Sequence, residues 1–205
     1  MMLLMLLVGV GSFVSAQGLS FGIKGGASTA KLAGTDIGST SNKTGLTAGV
    51  FLTLNLVMLK LQPEILYSQK GAVYENSYYS ATAKFDYLEI PVLTKYSFGA
   101  IIVPSIYIGP YFGIPLSAKI EKTQTIDAFP LYPPLKDTTY TDNVKKDMIN
   151  PDLGLVLGAE IKTPFKLSFE VRYTRSLLKI FKEEAGIQPD IKNSIVSVMV
   201  GYTLF

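Results

Sequence analysis

Two carboxylates, Glu64 and Glu89, lie in segments that also carry Lys70 and Lys95. Paired carboxylates beside ammonium groups are the raw material of general acid–base chemistry. The same side chains, with Arg172, are also the raw material of an internal ion-pair network. In such a network the loss of one partner strands a buried charge. Composition favours the network. The chain has 205 residues with no His, no Cys and no Trp. That removes a histidine base, a thiol nucleophile, a disulfide framework and a Cys/His zinc site. Asp127, Asp137, Asp142 and Asp147 with Asn143 offer oxygen ligands of the kind calcium takes. Their spacing matches no metal loop. The glycine-rich run Gly22 to Gly26 lacks the strand–loop–helix context of a phosphate cradle. No enzymatic activity and no cofactor is expected.

The elements that must position these charges are strands, because the dominant period is two. Leu19, Phe21 and Ile23 alternate with Ser20, Gly22 and Lys24. Leu46 to Asn55, Lys60 to Lys70, Asp86 to Tyr96, Ser105 to Leu116, Asp152 to Ile161 and Leu167 to Thr174 alternate in the same way. Ser194 to Phe205 is rich in Val and aromatics. The pattern predicts eight strands of about ten residues. Long gaps fall near Leu32–Thr44, Ala72–Ala83, Ile120–Ile149 and Leu178–Asn193; short ones fall near Leu56–Leu59, Gly99–Ile101 and Thr163–Phe165. Strict alternation of long and short connections is the signature of an up-and-down barrel in an outer membrane.

Charge sorts the two faces. One face of each strand is apolar, and the other carries Lys24, Glu64, Lys70, Glu89, Lys95, Asp152, Glu160, Glu170 and Arg172. A lipid-facing Lys or Arg at mid-bilayer costs about 2–4 kcal/mol, so this mixed-sign set must point inward. An eight-stranded barrel is just wide enough inside for side chains to fill. The expected fold is an all-β, eight-stranded antiparallel up-and-down transmembrane barrel with a salt-bridged interior charge network. Two alternatives share the period: a soluble lipocalin-like barrel with the aliphatic face around an apolar ligand, and a narrow outer-membrane pore. Charged residues are only 17% of the chain, and Tyr67, Tyr96, Phe98, Phe165, Tyr173 and Phe205 near strand ends suit interfacial girdles. Both favour the membrane. The prolines Pro63 and Pro91 remove ladder donors and predict bulges or local breaks.

Residues 1–16 read as a secretory signal peptide: an apolar run too short to span, then Val14-Ser15-Ala16, with cleavage after Ala16. The mature barrel domain is then 17–205. Net charge is +3 with the basic residues scattered, which excludes a nucleic-acid-binding face.

The run Leu61-Gln62-Pro63-Glu64-Ile65-Leu66-Tyr67-Ser68-Gln69-Lys70-Gly71 resembles the hallmark of the PorT-like outer-membrane β-barrel family. Gly22-Ile23-Lys24-Gly25-Gly26, Tyr87-Leu88-Glu89-Ile90-Pro91-Val92-Leu93, Gly109-Pro110-Tyr111-Phe112-Gly113, Arg172-Tyr173-Thr174 and Gly201-Tyr202-Thr203-Leu204-Phe205 follow the same pattern. The resemblance implies a small outer-membrane barrel of a Gram-negative cell, made with a signal peptide; the secretion role of the member that names the family does not carry over on resemblance. The expected protein is a non-enzymatic monomer in outer-membrane lipid with a structural, adhesive or secretion-linked role and protein contact at the extracellular loop 120–149. One departure stands out. Family members place Tyr two residues before the terminal Phe, whereas Tyr202 is three before Phe205. Either Thr203 takes the outward place or a bulge near Gly201 resets the register.

Overall fold

The computed structural model describes residues 18–33, 40–56, 59–76, 79–124, 138–143, 151–178 and 192–205. These hold nine strands: β1 (Leu19–Ala33), β2 (Thr40–Asn55), β3 (Lys60–Asn76), β4 (Tyr79–Ser97), β5 (Val103–Gln124), β6 (Thr138–Asn143), β7 (Asp152–Lys162), β8 (Leu167–Ser176) and β9 (Lys192–Thr203). Every pairing is antiparallel. β5 pairs with β7 from Val103↔Lys162 to Gly113↔Asp152, and farther along with β6 from Lys119↔Asn143 to Gln124↔Thr138. β6 and β7 therefore share one stave. The β4–β5 and β1–β9 pairings complete the ring, giving a closed barrel of eight staves. Closure leaves no sheet edge within the hydrocarbon, the condition for a β structure to span a membrane.

The outward face carries a sharp apolar band. At its lower edge sit Leu19↔Leu54, Tyr96↔Ile106, Ile161↔Phe169 and Leu167↔Tyr202. At its upper edge Ala27↔Leu46 gives way to Thr29↔Thr44, Tyr67↔Leu88 to Gln69↔Asp86, and Tyr173↔Val196 to Arg175↔Ser194. The change falls at one height because the register lines these pairs up around the ring. From Leu46 to Leu54 on β2, or Leu88 to Tyr96 on β4, the band has the roughly 9–11 residues of a transmembrane strand. Tyr96, Phe98, Tyr202, Phe165 and Phe205 are exposed near its lower edge, and Tyr67 and Tyr173 near its upper one. Phe21 and Phe205 stack with ring centroids 5.7 Å apart. The apolar faces point out and the charges in, so the lipocalin-like alternative does not describe this chain.

Three details differ from the sequence reading. The segment 72–83 is mostly strand, since β3 runs to Asn76 and β4 starts at Tyr79. Within 120–149, β5 continues to Gln124 and β6 supplies another strand. Above the apolar band the described outward residues Gln69, Lys84, Asp86, Lys119 and Glu121 are polar, so the apolar half of the alternation vanishes there although pairing persists. Second, of the bulges or local breaks expected at the two prolines, the breaks occur and the bulges do not: the ladder is interrupted between Pro63↔Val92 and Leu66↔Glu89, and between Pro91↔Tyr111 and Thr94↔Ile108, with register unchanged. Register shifts occur elsewhere, between Asn42 and Thr47 and between Asp86 and Tyr87. Third, neither account of the C-terminus holds. Pairing runs evenly through Gly201, with Lys24↔Gly201 and Gly22↔Thr203, and Thr203 faces inward while Tyr202 faces out. Past Thr203 the chain stays hydrogen-bonded to β1, Leu204 N donating to Phe21 O and Phe21 N donating to Phe205 O, so two residues oppose one, alternation breaks, and Leu204 and Phe205 are both exposed.

Val198 lies midway up the band with 58% exposure. Val198→Arg is expected to destabilise the lipid-embedded barrel by about 2–4 kcal/mol, read from urea unfolding in lipid vesicles. The unsubstituted barrel should run compactly on SDS gels unheated and shift on boiling.

Candidate functional site

The interior is filled by the side chains that the strands aim inward. At its centre, Lys24 Nζ contacts Glu64 Oε1 at 2.7 Å and Glu170 Oε2 at 2.6 Å. Arg172 Nη2 contacts Glu64 Oε2 at 2.8 Å and Glu170 Oε1 at 2.6 Å, and Arg172 Nε donates to Glu170 Oε1 at 2.7 Å. Two cations and two carboxylates thus form a neutral, doubly bridged square, with all four residues almost wholly buried. β3 and β8 lie four staves apart in either direction round the ring. The Glu64–Arg172 pair therefore crosses the full width of the bore. Gln62 Nε2 donates to Glu64 Oε1 at 2.6 Å, Tyr107 OH donates to Glu170, and Thr53 Oγ1 donates to Gln62 at 3.0 Å. Gln62 and Tyr107 thus fill carboxylate lone pairs that the cations leave open, while Thr53 holds the Gln62 amide.

Toward the long-loop end, Lys70 Nζ lies 2.5 Å from Glu89 Oε1 and 3.5 Å from Asp152 Oδ2. The Lys70–Glu89 contact is an ion pair without hydrogen-bond alignment. Lys70 also sits over the rings of Tyr87, at 4.3 Å, and Tyr111, at 5.1 Å, so aromatic faces share the ammonium charge. Tyr111 OH and Ser176 Oγ donate to Asp152. Toward the short-turn end, Lys95 Nζ bonds Glu160 Oε2 at 2.9 Å and lies 5.0 Å from the Tyr107 ring centre. Glu160 and Glu170 face each other directly across β7 and β8. That like-charge pair is relieved because Lys95 takes one carboxylate while Lys24 and Arg172 take the other. All nine charged residues singled out in the sequence thus sit on the inner face, joined in three ion-paired groups.

Periodicity alone did not reveal the aromatic partners. Tyr107 faces Gly158, Tyr111 faces Gly154, and Phe51 faces Gly22 across adjacent strands. A Cβ on any of these glycines would collide with the facing ring. Each ring lies over its neighbour's bare backbone, and from there the two tyrosine hydroxyls reach Glu170 and Asp152. The signal in the sequence is the i, i+4 repeat of Gly154 and Gly158 against Tyr107 and Tyr111, readable only once the register is known. Asp142 and Asn143 lie on β6, while Asp127, Asp137 and Asp147 fall outside the described residues; no group of three or more potential metal ligands occurs among the described ones. The nine interior charges pair with one another, and Glu160 also lines a small hollow at the short-turn end.

A family model described as outer membrane protein beta-barrel domain matches residues 15–182. No curated protein matches the chain. Among solved structures, Ail, the attachment invasion locus protein of Yersinia pestis, in complex with the heparin analogue sucrose octasulfate, is 12% identical with a TM-score of 0.50, over 92% of this chain and 100% of that one. Neisserial surface protein A is 13% identical with a TM-score of 0.47, over 91% and 99%. A major outer membrane protein from Thermus thermophilus is 14% identical with a TM-score of 0.47, over 92% and 100%. At such identities the likeness speaks for fold alone.

Arg172→Met strands two buried carboxylates and is expected to cost about 3–5 kcal/mol in unfolding free energy. Gly158→Val is expected to push Tyr107 off Glu170 and cost about 1–3 kcal/mol by overpacking. Urea unfolding in vesicles, followed by tyrosine fluorescence, checks both.

Proposed function

The chain belongs to the family of outer membrane protein beta-barrel domains, and from that premise we infer that it is a non-enzymatic, non-conducting barrel that acts by contact. The observation that carries this reading is the Glu64–Arg172 pair across the bore. In this reading the charge pair between opposite staves, with Tyr107 and Gln62 hydrogen-bonded to it, blocks a continuous water path at that level. With the lumen occupied, the ends of the barrel remain for interaction.

The long-loop end is the better platform. Above the apolar band β3, β4, β5 and β6 continue as one hydrogen-bonded sheet, from Gly71↔Lys84 to Asn76↔Tyr79 and from Lys119↔Asn143 to Gln124↔Thr138. Its outward residues include Lys84 and Glu121, which pair at 2.6 Å, and Lys119. A strand-built rim holds its side chains in fixed positions, so a partner meets a pre-organised polar surface. In this reading residues 1–16 are removed after Ala16, both barrel ends of the chain face the periplasm, and the rim faces outward as a monomer's adhesive or secretion-linked surface. The Leu61–Gly71 run supports membership of the PorT-like branch. The partner is a protein, met at the rim and the adjoining 120–149 segment.

Two measurements test this. In planar bilayers the folded barrel is expected to give no steady ohmic conductance; open-channel steps would overturn the sealed bore. Cells displaying a variant with residues 119–143 replaced by a short turn are expected to lose adherence while the barrel still shifts on boiling. Unchanged adherence would remove the rim from the reading.

A further inference from the structure

The short-turn end of the bore holds an excess of positive charge that no structural role explains. Below the Lys95–Glu160 pair lies a polar hollow of about 90 Å³, lined by Lys60, Lys95, Lys162 and Glu160 among serine, threonine and asparagine side chains. Three lysines meet one carboxylate there. Lys60 and Lys95 are directly opposed in the β3–β4 register. Like charges in facing positions destabilise a sheet. Glu160 forms its ion pair with Lys95, at 2.9 Å, and reaches Lys162 only at longer range. Neither Lys60 nor Lys162 has a hydrogen bond or ion pair to another described residue, and Lys166 on the neighbouring turn adds a further positive charge acting on Lys162. The uncharged lining residues, including Ser97, Ser105 and Ser168, present hydroxyl donors, and the first two already bond each other at 2.8 Å.

We propose that this mouth is a binding site for a phosphate-type oxyanion, held by Lys60, Lys95 and Lys162 with hydroxyl donors around it. The size agrees: the hollow falls well short of the roughly 300–1,000 Å³ of a pocket for a drug-sized ligand. So does the chemistry. Flexible ammonium groups on separate strands, β3, β4 and β7, converge as point charges on a compact anion. The site sits at the end of the barrel opposite the rim, so it is independent of the contact surface proposed above. Its anion can be a free ion or the headgroup phosphate of a lipid packed at the lower edge of the apolar band.

The test is calorimetric titration of inorganic phosphate into the detergent-solubilised full chain, with chloride at equal ionic strength as reference. Saturable heat is expected with phosphate and none with chloride. The Lys60→Gln/Lys162→Gln double variant should bind at least about tenfold more weakly, a difference of about 1.4 kcal/mol. Glu160→Gln should bind more tightly, because it removes the one opposing charge. No saturable heat with the unsubstituted chain, or equal affinity in the double variant, would overturn the proposal. Titration of the barrel in nanodiscs then separates the sources. If a headgroup occupies the site, phosphatidic acid should compete with phosphate and phosphatidylcholine should not. If the free ion is the ligand, phosphate binding should be the same in both.

Discussion

No backbone N–H or C=O can stay unpaired in hydrocarbon, and the β1–β9 seam is what meets that condition here. Closure at eight staves sets the bore, and a bore of that width must be filled by side chains. The filling cannot be only apolar. The outward positions on each strand are committed to lipid, and a chain that is apolar on both faces would be hard to keep from aggregating before insertion. Charges inside are the workable answer, but only if every one is matched. The square of Lys24, Glu64, Glu170 and Arg172 satisfies that demand within one layer, and glycines opposite Tyr107, Tyr111 and Phe51 make the room for it.

Much of this was legible in the sequence, for a physical reason. In a membrane barrel the solvents on the two faces differ sharply, so the period-two pattern is strong. The positions of Lys24, Glu64 and Arg172 on inward faces follow from counting by twos from an aliphatic neighbour. The same contrast explains where reading failed. Past Gln69, Asp86 and Ser117 the outer face no longer meets lipid, and the upper lengths of β3, β4 and β5 look like loop. Beyond Thr203 two residues oppose one on β1 and alternation breaks, so the Tyr202–Phe205 spacing misled. The sequence marks Glu64 and Glu89 as partners for Lys70, Lys95 and Arg172, and the Glu64–Arg172 and Lys70–Glu89 pairs do form; which partner each charge takes was not legible. Arg172 and Glu64 are partners because their staves stand opposite each other, which is a property of the closed ring rather than of any segment.

The two ends of the barrel divide their labour. At one end strands overrun the bilayer and build a polar rim with side chains of both signs. At the other, tight turns hold the staves close to the membrane edge, and unpaired lysines gather in a small hollow. Between them lie the ion-paired interior charges. Glu64 and Glu89 belong to the ion-paired interior, while Lys60 and Lys162 carry no signal in the sequence because lysine near a turn is ordinary.

The crossing pairs also govern the order of assembly. Lys24 is separated along the chain from Glu64 by 40 residues and from Glu170 by 146. Contacts so distant in sequence form late, because the loop must close before they reward it. Until β8 and β9 reach β1, the lysine on the first strand has only part of its counter-charge, and the inner face of the unfinished sheet lies open. A strand-by-strand entry into lipid would drag that ammonium group, uncompensated, through hydrocarbon. Insertion, closure and neutralisation must therefore proceed as one cooperative event. The interior charges act as a checkpoint: a barrel that has not closed cannot rest comfortably in the membrane.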